Sequence, residues 1–270
     1  MRTDTPIANY VLPWIPHVKE ITIRKRVWTA IANALVLRCQ ELEGCPKMRI
    51  FDAIHHRIDA KQLTKKPFAC EGLETFRCQV VGLERQSKDA ASMFGRITEL
   101  SAAGRDAIGV AATIQKMAER LQEQQVKIFE QFSRLTQLTT LDLGYAWRNP
   151  NALSEGTHFT YKGADGKYYV RYGNPIRGTL ELTLETGFDR LWTLTRLEVF
   201  GFEGVDFRLG KPELEWMAAN WPRLRVLRGL QKDDHLPQIE PDLNKVELRR
   251  HMKVLRPEVK HQGLALKMAR

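Results

Sequence analysis

Apolar residues recur along this chain as L-x-x-L-x-L, a spacing that suits a short strand with alternate side chains entering a core. Between Leu191 and Leu230 the sequence reads LWTLTRLEVFGFEGVDFRLGKPELEWMAANWPRLRVLRGL. Leu194, Leu197 and Val199 take the spacing there. A polar, glycine-containing stretch follows. The segment KPELEWMAA then predicts a helix, with Pro212 in its first turn and Leu214, Trp216 and Met217 as packing residues. The strand pattern restarts at Leu224 and Leu227, 30 residues after Leu194.

The same signature occurs upstream. Val18, Ile21 and Ile23 fit it, as do Met48, Phe51 and Ala53, Leu73, Phe76 and Cys78, and Leu138, Leu141 and Leu143. Pro16, Pro46 and Pro222 each stand two residues before the first apolar position, where a proline ends the preceding helix and admits the strand. A strand and a helix repeated at this period predict an α/β leucine-rich-repeat solenoid: a curved, mainly parallel sheet with helices on its outer side. The core strands are expected to begin near Val18, Met48, Leu73, Leu138, Leu194 and Leu224.

Residues 1–256 are read as this repeat domain. Residues 1–15 form an N-terminal extension, and a helix over 25–44 carries Val27, Ile31, Ala34, Leu35 and Cys39. Residues 54–67 read as a basic polar connection. The long steps between repeats imply two insertions. The first, 86–135, holds a short helix over 88–100 and a long helix from Asp106. Its seam is Val110, Ile114, Met117, Leu121, Gln124, Ile128, Gln131 and Leu135. This helix either lies on the flank of the solenoid or projects towards a partner helix. The second insertion, 145–178, has Asp165 and Gly166 between aromatic and β-branched runs, which predicts a hairpin. The alternation from Thr179 to Leu184 predicts a further strand, followed by a short helical return over 187–194. A helix over 242–256 would cap the last repeat, leaving 257–270 as a flexible basic tail.

The net charge is +10 in 270 residues. The cations are spread along the chain and lack the aromatic interleaving of a base-stacking surface. This favours an acidic protein partner over nucleic acid. No apolar run approaches the ~18 residues of a membrane span, and the first residues make a poor signal peptide. Cys39, Cys45, Cys70 and Cys78 lack C-x-x-C spacing and read as reduced thiols of a cytoplasmic or nuclear protein.

Candidate chemistry is sparse. Asp52, His55, His56 and Asp59 form the densest acid–histidine cluster, but their spacing matches no standard ligand set, so no metal or catalytic residue and no cofactor is expected. The GADG run lacks the lysine and serine of a phosphate loop. Trp216 and Trp221 read as core residues. The chain therefore reads as a non-catalytic protein-binding solenoid. An enzyme, a nucleic-acid-binding protein using the basic surface and an inactive truncated paralogue are the alternatives.

If the L-x-x-L-x-L residues point inward, the residues two, four and six places after the first point outward. That offset selects Glu20, Thr22 and Arg24, then Ile50, Asp52 and Ile54, then Thr75, Arg77 and Gln79, then Thr140 and Asp142. The last two strands supply Arg196, Glu198 and Phe200, then Val226, Arg228 and Leu230. Stacked, they would form an exposed partner-binding stripe with Phe200 as an aromatic anchor. The alternative is a merely solvated stripe with Phe200 packed under the loop at 201–210.

The blocks FDAIHHRIDA, GLETFRCQVVG, LTTLDLGY, LEVFGFEGVD to WPRLRVLRGL and MKVLRPEVKH resemble the repeat half of a large fungal group of F-box-like leucine-rich-repeat proteins, over most of residues 40–261. In that group an N-terminal F-box docks onto a ubiquitin-ligase scaffold of the SCF type and the repeats choose the substrate. The resemblance thus implies a substrate receptor that acts as a ligase adaptor inside the cell. Residues 1–17 are too short for an F-box segment, so repeat-mediated binding is the firmer of the two implications.

Overall fold

The computed structural model describes residues 19–22, 46–65, 67–68, 70–83, 107–144, 158–162, 168–172, 179–203, 205, 209–230 and 243–262. Within them, seven short strands make one parallel sheet. They are β1 (Glu20–Thr22), β2 (Ile50–Asp59), β3 (Thr75–Val81), β4 (Thr140–Asp142), β7 (Val199–Gly201), β8 (Val226–Arg228) and β9 (Lys260–His261). Their spatial order follows the chain, β1-β2-β3-β4-β7-β8-β9. The remaining strands, β5 (His158–Lys162) and β6 (Tyr168–Tyr172), form a separate antiparallel pair. This is the expected hairpin, and its turn lies outside the described residues. So do residues 1–15, the helices expected over 25–44 and 88–100, and Cys39 and Cys45.

One hydrogen-bond line crosses the whole sheet and defines equivalent positions. The N–H of Lys260 donates to Arg225 O at 2.7 Å, and at 2.8 Å each Arg225 donates to Glu198, Glu198 to Thr139, Thr139 to Glu74, Glu74 to Arg49 and Arg49 to Lys19. Just before each of these residues, a turn closes over three residues: Leu73 N to Cys70 O, Leu138 N to Leu135 O, Leu197 N to Leu194 O, Leu224 N to Trp221 O and Val259 N to Arg256 O. Met48, Leu73, Leu138, Leu197, Leu224 and Val259 are therefore the repeated first positions, and all are buried.

This corrects the sequence reading at one strand. Leu197, not Leu194, is the equivalent of Leu138 and Leu224. Apolar residues occupy the turn position as well, so Leu194, Leu197, Phe200 and Phe202 give a longer ruler in which Leu194-x-x-Leu197-x-Val199 also fits. Val199 is only half-buried, whereas Phe200 and Phe202 are fully buried. A second correction concerns the C-terminus. Pro257 precedes Val259 as Pro222 precedes Leu224, and residues 257–262 continue the sheet through β9 instead of starting a loose tail.

The core lies on one face of the sheet. Its central column is Ile21, Phe51, Phe76, Leu141, Phe200, Leu227 and His261, paired in register across all seven strands. The helical elements pack on this face. They are α1 (Ala60–Leu63), α2 (Ala107–Ser133), α3 (Lys211–Asn220), α4 (Leu243–Leu255) and the 3-10 turns Leu184–Thr186 and Phe188–Thr193. Phe132 of α2 meets Phe76 edge-on with centroids 5.0 Å apart, and Trp221 lies 5.1 Å from Phe200. Burying rings of this size supplies ~1.5–3 kcal/mol each.

The long helix α2 lies on the flank by its C-terminal half. Gln125, Ile128, Phe129 and Phe132 are buried, with Leu135 just beyond the helix, while Gln115, Lys116, Ala118, Glu119, Arg120, Gln122 and Glu123 are exposed. The buried stripe is thus rotated from the predicted seam. Gln125 explains another difference, because Thr179–Leu184 does not form a strand. The Gln125 amide donates to Glu181 O at 2.8 Å and accepts from Glu181 N at 2.9 Å. A helix side chain has replaced the strand neighbour that the alternating pattern requires. Nor are residues 54–67 a polar connection: Ile54, Ile58, Ala60 and Leu63 are buried.

The helix α4 packs on α3 but is not terminal. Arg256, at its end, occupies the turn position held by Cys70, Leu135, Leu194 and Trp221 before the other strands. Its guanidinium donates to Ala218 O, Trp221 O, Pro222 O and Leu224 O at 3.0–3.4 Å. It satisfies carbonyls at the C-terminal end of α3, where a cation also opposes the helix dipole.

Candidate partner-binding face

One residue beyond the apolar column, on the opposite face of the sheet, stands a second column: Thr22, Asp52, Arg77, Asp142, Gly201 and Arg228. Adjacent residues in a strand point to opposite faces, so the two columns share a backbone and nothing else. Their charges alternate from Asp52 to Arg228. Arg77 donates to Asp52 Oδ2 at 2.7 Å and its Nε lies 3.8 Å from Asp142 Oδ2. Arg228 donates to the same Asp142 oxygen at 2.8 Å.

Arg228 is two strands from Asp142, and Gly201 lies between them. An ideal Cβ on Gly201 would stand 2.1 Å from Asp142 Oδ1. The missing side chain is the space into which the carboxylate leans to reach Arg228. Asp142 Oδ1 also accepts from Gly144 N at 3.1 Å. The Asp142 side chain is 0% exposed, whereas those of Asp52, Arg77 and Arg228 are 21–22% exposed. A buried carboxylate held by two arginines and a backbone amide is compensated for its lost hydration. The Nε atoms of Arg77 and Arg228 are buried without a hydrogen-bond partner.

The predicted stripe is thus partly assembled and partly corrected. Asp52, Arg77, Asp142 and Arg228 come together, with Thr75 and Thr140 half-buried beside them. Glu20 and Thr22 are exposed and bonded to each other, Thr22 Oγ1 donating to Glu20 Oε1 at 2.9 Å. Arg24 lies outside the described residues. Gln79, Ile54 and Leu230 are buried, and so is Asp142. Phe200 is not an exposed anchor: it is fully buried in the core. Arg196 and Glu198 do not belong to the column either, for they precede the strand on its turn. The three-residue displacement accounts for all three: Val199 stands where Arg196 was expected, Gly201 where Glu198 was, and Glu203 where Phe200 was. A search for buried residues at the turn position, Leu135 and Trp221, would have exposed the displacement in the sequence.

Of the acid–histidine cluster, the side chains of His55 and His56 lie outside what the structure describes, and the two acids are each engaged separately. Asp52 is engaged by Arg77, and Asp59 caps α1 by accepting from Lys61 N at 2.8 Å. Among the described residues no group of three or more His, Cys, Asp or Glu could hold a metal ion. Burial, with Asp52 nearby, pushes the Cys78 thiol far above its ordinary range, so it is not a ready nucleophile. Among them too, no helix is long and apolar enough to cross a membrane. The chain matches no protein-family model, no curated protein and no solved structure.

Proposed function

We propose that this chain is a leucine-rich-repeat solenoid that binds another protein, and that the ion-paired face of its sheet is the binding surface. The carrying observation is that the parallel strands follow chain order, with the same turn before each of five of them and one hydrogen-bond line linking them. An architecture of stacked units offers an extended surface without a deep pocket. The column Asp52–Arg77–Asp142–Arg228 fixes rigid guanidiniums on that surface, and arginines are enriched at interface centres. The resemblance to F-box-like repeat proteins adds a role for the bound protein, as substrate of a ubiquitin ligase.

Affinity capture with the full chain tests both parts. Thr75→Lys with Thr140→Lys adds bulk and charge to the face beside the ion column without deleting a member of it. A specific partner captured by the parent is expected to be lost in this variant at unchanged thermal stability. A partner retained by the variant would overturn the face as the binding surface. Recovery of the ligase scaffold supports the receptor role, and a specific partner without it refutes that role while leaving binding intact.

A further inference from the structure

Among the described large hydrophobic side chains only Trp192 and Val254 are exposed, Trp192 by 60%. Trp192 lies on the 3-10 turn Phe188–Thr193, five residues before buried Leu197. The same offset before Leu138 and Leu224 falls on Ser133 and Ala219. Thr193 Oγ1 donates to Ser133 O at 2.6 Å, so this turn does sit against the end of α2. The neighbouring units thus carry the small residues Ser133 and Ala219 at the position of Trp192, and among the described residues the indole is left 60% exposed.

Cations gather on the same edge of the sheet, where the strands begin. Arg196 and Arg223 occupy the same offset before β7 and β8, Arg225 follows, and all three are exposed. The Arg196 guanidinium donates to the Gln137 amide oxygen and not to a carboxylate. Among the described residues no carboxylate forms a salt bridge with Arg196, Arg223 or Arg225. The turn cation of an earlier repeat, Arg49, is in contrast held by Glu74. Arg190 and Lys211 are likewise held, by Glu130 and Glu247, whereas exposed Lys116, Arg120 and Arg134 on and after α2 form no ion pair among the described residues. Asp189, exposed, and Glu198, half-buried, are the nearest acids in sequence, and neither is paired with these arginines.

An exposed tryptophan beside unpaired arginines is the composition of an interface centre. The guanidiniums suit carboxylates, which they bind through paired N–H groups. The indole suits an apolar side chain. A single aromatic without others in series does not make a base-stacking track. We propose that Trp192, Arg196, Arg223 and Arg225 dock an acidic peptide segment of a partner, with an apolar residue of that segment seated on the indole. This rests on the protein-binding reading above and uses a different surface from the sheet face.

The test is fluorescence anisotropy with a labelled peptide of Asp and Glu around a central Leu, titrated with the full chain. Saturable binding is expected, weakening as salt rises to about 150 mM. Trp192→Ala is expected to weaken it by at least ~5-fold, and Arg196→Ala with Arg223→Ala by ~10-fold. All three positions are exposed, and unchanged thermal unfolding confirms that the variants fold. A peptide with Gln and Asn for the acids should lose binding. Thr75→Lys with Thr140→Lys should leave it unchanged, which separates this edge from the sheet face. Parent-like binding by both edge variants overturns the proposal. So does loss of binding in the face variant alone, or tighter binding of an oligouridylate that Trp192→Ala does not affect.

Discussion

The two columns that cross the sheet, one residue apart, are held by different physics. The column from Ile21 to Leu227 is apolar and enters a core of stacked rings, with Phe51 and Phe76 centroids 5.5 Å apart. Its members need only be apolar and near the right size, because burial is non-directional. The column from Asp52 to Arg228 depends on order. Each charge needs its opposite on the correct strand, and Gly201 must have no side chain. The comparison teaches that one backbone repeat can carry a tolerant column and an exacting one back to back.

The largest effect should come from the tolerant column, since tolerance of kind is not tolerance of volume. Phe200→Ala removes a fully buried ring between Phe188, Phe202 and Trp221. It should destabilise by ~3–5 kcal/mol in denaturant unfolding, and a loss below ~1 kcal/mol would return Phe200 to the surface. Leu197→Ala, at the corrected first position, should cost ~2–5 kcal/mol for the same reason.

Next comes the exacting column. Asp142→Ala leaves Arg77 and Arg228 facing each other without their shared carboxylate, at an expected cost of ~2–4 kcal/mol. Gly201→Ala should cost less, ~1–3 kcal/mol, because the flexible carboxylate can swing away from the new methyl group. Its source is testable by a double-mutant cycle. In an Asp142→Gly background Gly201→Ala should cost almost nothing. An undiminished penalty there would mean that backbone, not Asp142, excludes the side chain.

The smallest effect lies where the apolar column ends in a polar residue. His261 is paired with Leu227 on β9. Burial first, and then Arg249 and Lys253, hold its pKa at about 4 against an ordinary 6.5. The unfolded chain therefore takes up the proton first as pH falls. Stability is full above about 6.5 and is lost progressively as pH drops towards about 4. With His261 only about half-buried, solvent screening leaves this at about 1 kcal/mol. His261→Phe should remove that component from a stability profile across this window. A parallel profile in the variant would assign the pH dependence to other groups.

The parallel strands were legible in the sequence from Met48, Leu73, Leu138 and Leu224, because a strand buried on one face must alternate and the burial is local. Pro257-x-Val259 carried the same signal for β9. The sequence reading failed where two local patterns competed: Leu194 and Leu197 both begin an apolar triplet, and only pairing with β4 and β8 chooses between them. It failed again at Thr179–Leu184, whose alternation is that of a strand but whose backbone groups are taken by Gln125 from a helix far away in the chain.

Spacing thus determined from sequence alone that strands of a parallel sheet start near Met48, Leu73, Leu138 and Leu224, and that Phe51, Phe76, Leu141 and Leu227 face inward. The tertiary structure alone decided that Asp142 reaches Arg228 across Gly201, that Arg256 satisfies the carbonyls after α3, and that Trp192 stands clear beside Arg196. Hydrophobic periodicity is written along the chain, one residue after another. Charge pairing and exposure are relations between residues brought together across neighbouring strands, and they exist only once the register is set.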